Sequence, residues 1–333
     1  MSDRLAWLAR TAEEALDPQL EICDPHHHLW EFPANRYLVE EFLGDVAGGH
    51  RVTRTVYVEC HQKYRPDGPV SLRPVGETEF VDQCTGALQG DAAATQVASG
   101  IVGFADLALG VRVRDVLKAH LAASPRFRGV RHASAWDASD QVRRAHTDPP
   151  PGLLGRAEFR AGFACLHELG LTFDAWLYHT QIPDVVELAR AFPQAPIVLD
   201  HAGGPLGVGP YAGRRDEVFA LWRRNLSVLS GCPNVVVKIG GLAMTMSGFG
   251  WHKRDAPPGS FELADSMRPY FDACLELFGA ERCMFESNFP VDQASCSYTV
   301  LWNAFKRLAR ACSPTERSAL FSRTATRFYR LDG

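Results

Sequence analysis

Short apolar runs rich in β-branched residues recur along the chain, separated by segments of helical periodicity. Such runs stand at residues 19–23, 53–60, 100–105, 127–132, 171–178, 196–200, 234–239 and 282–286, and each reads as a strand buried on both faces. Between them, residues 112–122, 156–169, 184–191, 215–229, 261–278 and 298–311 carry apolar positions three and four apart, as in Val185, Leu188 and Phe192, the stripe a helix lays on a sheet. Gly170, just past Glu168 and Leu169, predicts a left-handed helix cap. Eight strands alternating with helices point to a closed (β/α)8 TIM barrel more than to an open doubly wound sheet, although periodicity alone admits both. The expectation is one α/β unit over residues 1–333, with its core over about 19–331.

Two connections are longer than a barrel needs. Residues 31–51, after the first strand, and 243–260, after the seventh, are rich in Gly, Pro, Trp, Phe and His. Both insertions leave the C-terminal ends of strands, where barrel enzymes build their sites.

Composition narrows the partners. With 46% hydrophobic and 22% charged residues, the 333-residue chain is globular and able to bury a large core. Thirty-five basic against 39 acidic residues give a net charge of −4, which disfavours nucleic acid and anionic membrane and leaves a small molecule as the expected partner. Nine cysteines, with no Cys-x-x-Cys, suggest neither a disulfide framework nor a zinc ribbon. With no signal-peptide pattern and no apolar run of spanning length, a cytoplasmic location is expected, and association of identical copies is compatible with the sequence. Residues 207–212 imitate a dinucleotide fingerprint but neither follow a strand directly nor open a helix.

The densest candidate chemistry is Asp24-Pro25-His26-His27-His28-Leu29-Trp30 at the end of the first run. On an extended backbone His26 and His28 project to one side, where two imidazoles can hold a divalent ion, and His27 points away. Later runs also end in polar residues: Glu59, Arg131 with His132, His179, Asp200 with His201, Lys238, and Glu286 with Asn288. One such residue is easily a hydrogen-bonded strand end. A ring of them is costly to bury unless the groups pair, bind metal or serve a reaction.

Together with Phe127-Arg128-Gly129-Val130-Arg131-His132, Ile197-Val198-Leu199-Asp200-His201, Ser287-Asn288-Phe289-Pro290-Val291-Asp292 and the closing Ala325-Thr326-Arg327-Phe328-Tyr329, this pattern resembles the amidohydrolase-2 branch of the amidohydrolase superfamily. The likeness is greatest to its lactonase-like members, the sugar-lactone and pyrone-dicarboxylate lactonases. The resemblance implies a metal or substrate ringed by histidines at the barrel mouth. His26, His28 and His179 would be metal ligands, with Zn2+ the expected ion, and His201 a ligand or acid/base beside Asp200. Arg131 and Lys238 would hold a substrate carboxylate or developing oxyanion. Trp30 and Tyr178, with Trp176, Trp251 and Phe289, would line the pocket.

One departure stands out. The family's usual strand-eight Gly-Ser-Asp is here Glu286-Ser287-Asn288, and an amide cannot take a proton from water. Asn288 therefore marks the altered catalytic position, and either Glu286, on the same strand face, or Asp292, in a loop expected to be mobile and solvated, restores the carboxylate. Otherwise the site is metal-free or different in chemistry. The reading is a hydrolase that opens a lactone or related cyclic ester of a small carboxylate-bearing substrate. The alternatives are a decarboxylase-like lyase and a catalytically silent binding barrel.

Overall fold

The computed structural model describes residues 3–33, 35–89 and 94–332. Residues 1, 2, 34, 90–93 and 333, including both ends of the unit expected over 1–333, lie outside the described residues.

Strand β1 (Glu21–His27) is followed by a small antiparallel hairpin, β2 (Trp30–Phe32) and β3 (Asn35–Tyr37), and then by β4 (Arg51–Val58). The remaining strands are β5 (Gln96–Gly103), β6 (Phe127–Arg131), β7 (Thr172–Ala175), β8 (Ile197–Leu199), β9 (Val235–Ile239) and β10 (Cys283–Phe285). Eight of these form one sheet in the order β1-β4-β5-β6-β7-β8-β9-β10, every neighbouring pair parallel. The seam between β10 and β1 is closed beyond the last strand, where His28 N donates to Phe289 O (2.8 Å) and Asn288 N donates to His26 O (2.9 Å). The buried Asp24 carboxyl staples this seam, accepting from Ser287 N and Tyr298 Oη at 3.0 Å each, and burial pushes its pKa up to about 6. The result is the expected TIM barrel, nearly closed, with helices outside.

The eight barrel strands held in number and order, with shifts that have local causes. β1 runs on through the histidine motif because its register slips between Asp24 and His27, accommodating Pro25, which has no N–H for the ladder. β5 starts at Gln96, where the polar Gln96 and Ser99 hid its first half from an apolar-run reading. Residues 31–51 are not a loop: they hold the β2–β3 hairpin and the helix Val39–Val46. The helix Val75–Thr85 was not foreseen, because Glu77, Thr78, Asp82 and Thr85 break its apolar stripe. Glu77 is nonetheless buried, its Oε1 accepting from Tyr57 Oη, Cys60 N and Gln62 N. Gly170 has the positive φ its cap position predicted, +68°.

Strand alternation sorts the core into two shells. Outward residues such as Tyr57, Ile101, Phe173 and Ile197 pack on the helices. Inward ones, Cys23, Val56, Val58, Val102, Val198 and Met284, fill the barrel together with Ala325, Tyr329 and Leu331 from the chain's end. The barrel is thus a packed core with chemistry only above it. Among the described residues, no helix is long and apolar enough to cross a membrane.

Candidate active site

The alternation of β1, continued one residue past its end, divides the three histidines of the motif. His27 faces outward, its ring stacked on Phe42 at 4.2 Å and its Nε2 2.8 Å from Thr55 Oγ1, and burial pushes its pKa down to about 3. His26 and His28 face inward, ring centroids 4.9 Å apart. His28 Nδ1–H donates to Val58 O (2.7 Å), which fixes its tautomer and leaves Nε2 with the lone pair.

His201 is held by Glu286. The carboxylate Oε1 accepts from both His201 N (3.0 Å) and His201 Nδ1 (2.7 Å), so the ring's Nε2 carries the lone pair. Burial alone would raise the Glu286 pKa, but His201 and His26 hold it well below the usual carboxylate range. His201 and Ala202 have φ of 55° and 51°, and Gly203 and Gly204 continue the left-handed turn. Two non-glycine residues in that region cost about 1–2 kcal/mol each, strain offset by the Glu286 clamp. Room comes from the two glycines just past β9, because a Cβ on Gly241 (φ +64°) would lie 2.5 Å from His201 Cγ, and one on Gly240 would lie 2.3 Å from Glu286 Cγ.

Two buried ion pairs support this centre. Lys238 Nζ donates to Asp174 Oδ2 (2.7 Å) and lies 3.0 Å from Asp200 Oδ1 and 3.2 Å from His26 Nδ1. Although burial opposes its charge, Asp174 and Asp200 raise the Lys238 pKa above the usual ammonium range. Tyr329 Oη donates to the same Asp174 oxygen (2.6 Å), tying the floor of the site to the chain's end. Arg131 Nε donates to Glu59 Oε1 (2.7 Å), its Nη2 donates to Glu59 O, and its Nη1 lies 3.3 Å from His26 Nε2. Burial and the Lys238 ammonium therefore keep the His26 pKa well below the usual imidazole range.

The charges do not balance with neutral histidines. Four buried carboxylates, Glu59, Asp174, Asp200 and Glu286, face two buried cations, Arg131 and Lys238. Both oxygens of Asp200 and Oε2 of Glu286 lack an aligned hydrogen bond, even though His26 Nδ1 is 2.8 Å from the latter. Burying anionic oxygens in that state is expensive, and a divalent ion or protonated histidines would relieve it. Among the described residues, His26, Asp200 and His201 place one ligand atom each within 4.8 Å of one another, a nitrogen and oxygen set that suits zinc. The donor set, with Asp200 Oδ2 and Glu286 Oε2 lacking a hydrogen-bond donor, fits a divalent cation.

The amidohydrolase profile matches residues 23–331. The chain belongs to the amidohydrolase family. A protein of Sinorhizobium fredii known as y4mH, of uncharacterized function, is 33% identical over 340 aligned positions, covering 94% of this chain and 99% of that one. An L-fucono-1,5-lactonase of Burkholderia ambifaria is 29% identical over 325, covering 93% and 95%. A solved amidohydrolase of Burkholderia multivorans with bound zinc superposes with a TM-score of 0.70 at 26% identity, covering 93% of this chain and 99% of that one.

The other expected site residues of this amidohydrolase are placed unevenly. His179, expected as a ligand, is outside the His26–Asp200–His201 group: Leu206 N donates to its Nδ1 (3.5 Å) and its ring meets Tyr211 edge-on. Arg131 and Lys238, expected to hold a substrate carboxylate, are instead spent on Glu59 and on Asp174 and Asp200. Asp292, expected to be mobile and solvated, is buried: Oδ1 accepts from Asn288 Nδ2 (2.9 Å) and Oδ2 from Ala243 N (3.2 Å). Asp292 thus ties its own loop to the one at Ala243, and Asn288 orients its carboxyl. Trp30 is half-buried and stacks near His28 with centroids 6.1 Å apart, whereas the Tyr178 hydroxyl is committed to Arg143 O. Trp176 lies edge-on to His201 at 4.6 Å and walls its ring. Asp174 was missed by sequence reasoning, though a lone carboxylate inside Leu171-Thr172-Phe173-Asp174-Ala175-Trp176 was its visible signal.

Proposed function

We propose that this amidohydrolase opens the lactone of a small, uncharged polyhydroxylated acid by adding water to the ester carbonyl. The observation that carries the proposal is the buried Glu286–His201 pair, an imidazole whose Nδ1–H is committed to a carboxylate and whose Nε2 is left to take a proton. His201 removes a proton from the attacking water, and the Glu286 carboxylate stabilises the imidazolium that forms, as the acid does in any carboxylate–histidine pair. Trp176 holds the ring in place, and Gly240 and Gly241 let it approach.

His26 and Asp200, with His28 beside them, would hold a divalent ion and leave His201 Nε2 free for the proton, and zinc in the Burkholderia multivorans structure supports that choice. When bound, such an ion supplies Lewis-acid polarisation of the carbonyl. Lys238 positions Asp200, and Arg131 positions Glu59 and helps hold its pKa low. With both cations neutralised inside the protein, a neutral lactone suits the mouth better than the carboxylate-bearing substrate expected from the sequence. The L-fucono-1,5-lactonase relatives and an L-rhamnono-gamma-lactonase of Scheffersomyces stipitis support the same substrate class.

The test is a proton-release assay with purified protein on L-fucono-1,5-lactone, L-rhamnono-gamma-lactone and 2-pyrone-4,6-dicarboxylate, with carbon dioxide monitored in parallel. The expected result is turnover of a sugar lactone, one proton per ring opened and no carbon dioxide. Carbon dioxide release would favour the lyase, and no turnover of any lactone would favour a binding protein.

A further inference from the structure

A second histidine sits against a buried carboxylate on the other side of His26. His146 lies between β6 and the helix Ala157–Glu168, and its Nε2–H donates to Glu59 Oε2 at 3.0 Å. The other Glu59 oxygen accepts from Arg131 Nε, so the carboxylate is fixed at both ends. Burial alone would raise the Glu59 pKa, but Arg131 and His146 bring it down to about 2. The arrangement repeats that of His201 and Glu286, one ring nitrogen committed to an ionised carboxylate and the other left for chemistry.

Two observations set this pair apart from a structural contact. The His146 side chain is 30% exposed while Glu59 is fully buried, so the imidazole bridges the interior and the solvent-facing mouth. Arg131, which carries Glu59, approaches His26 at Nε2, whereas Glu286, which carries His201, approaches it at Nδ1. The two imidazole–carboxylate pairs therefore flank His26 from opposite edges. Behind His146 stand His61, 6.1 Å away between ring centroids, and Tyr64, stacked on His61 at 4.3 Å.

We propose that His146, oriented by Glu59, is the general acid that protonates the ring oxygen as the lactone opens. This role rests on the lactone-opening reading above. The water oxygen bonds to the carbonyl carbon while His201 Nε2 takes one water proton. The bond from carbonyl carbon to ring oxygen then breaks, its electron pair stays on the oxygen, and His146, entering the step protonated on both nitrogens, gives up its Nδ1 proton and keeps Nε2–H on Glu59. The product is the hydroxy acid, whose ionisation releases one proton. Exchange with solvent returns His201 and His146 to their starting states. Protonation is needed because an aliphatic alkoxide leaves about as poorly as hydroxide.

The leaving atom provides the test. A thiolate leaves without a proton, since a thiol ionises near about 8.5. Wild type and His146→Gln are compared on L-fucono-1,5-lactone and its 5-thio analogue, a matched pair in shape. The expected kcat/KM loss in the variant is about 100-fold or more on the oxygen lactone. On the thiolactone it is within about threefold, with an unchanged melting temperature. Equal losses on both, or no loss on either, with an active wild type overturn the role of His146 alone. A wild type inactive on both overturns the lactone reading and this inference with it.

Discussion

Replacing Glu286 by Gln keeps the side chain's shape and removes its charge. The carboxylate receives two well-formed donors from His201, at 3.0 and 2.7 Å, and stands beside His26. Hydrogen bonds to a charged acceptor are worth about 1.5–3 kcal/mol each, against about 0.5–1.5 for neutral pairs. Losing the charge therefore withdraws about 2–5 kcal/mol from the imidazolium formed when His201 takes the proton, or about 30- to 4,000-fold in rate. An amide NH2 turned toward His201 Nδ1 would also invert the tautomer and put the hydrogen on Nε2, where a base is needed. The expected result is a kcat lower by about 10²–10⁴ with a smaller change in KM, read from initial proton-release rates on the preferred lactone. Circular dichroism and melting temperature should report an intact barrel. A folded Glu286→Gln protein with kcat within threefold of wild type would refute the assignment of Glu286 as the partner of His201.

Gly241→Ala should displace His201 without touching substrate, because the new methyl meets the ring at 2.5 Å and the backbone sits at φ +64°. Its kcat should fall at least about tenfold with a stability loss of about 1–3 kcal/mol, measured by urea unfolding; wild-type kcat would contradict the close approach. Glu59→Gln should have a pH-dependent stability cost. The Glu59 pKa falls from 4.5 to about 2 on folding, so its contribution is complete above pH 4.5 and lost as pH falls toward 2. The melting-temperature gap to wild type should narrow across that window, and a constant gap would count against the Arg131–Glu59–His146 pairing. Zinc added to metal-stripped protein should raise the melting temperature, and Asp200→Asn should abolish most of that shift. An unchanged shift in the variant would remove Asp200 from the cation site.

Strand-level order was legible because buried strands must be apolar on both faces, and β6 and β9 were placed to within a residue or so at each end. The inward pair His26 and His28 followed from a period of two, as did the outward His27 that packs on Phe42. What the sequence hides is pairing across the barrel. It shows cations at Arg131 and Lys238, but not that Glu59 lies 72 positions from one and Asp174 lies 64 from the other. The internal carboxylates that pair with those cations were therefore invisible when they were read as substrate anchors. Asp292 looked solvated because its segment is Pro-bounded, yet Ala243, from a loop 49 positions earlier, folds over it. His146 carried no local signal: its meaning comes from Glu59, 87 positions away.

The most direct test of the account follows labelled oxygen. The lactone with the fastest turnover is opened in H2(18)O by wild type and by His201→Ala, and the product is analysed by mass spectrometry. The account predicts one 18O per turnover in the new carboxylate, none in the released hydroxyl, and a His201→Ala rate close to spontaneous opening. Label in the hydroxyl, or a His201→Ala rate equal to that of wild type, would contradict attack on the carbonyl by water that His201 deprotonates.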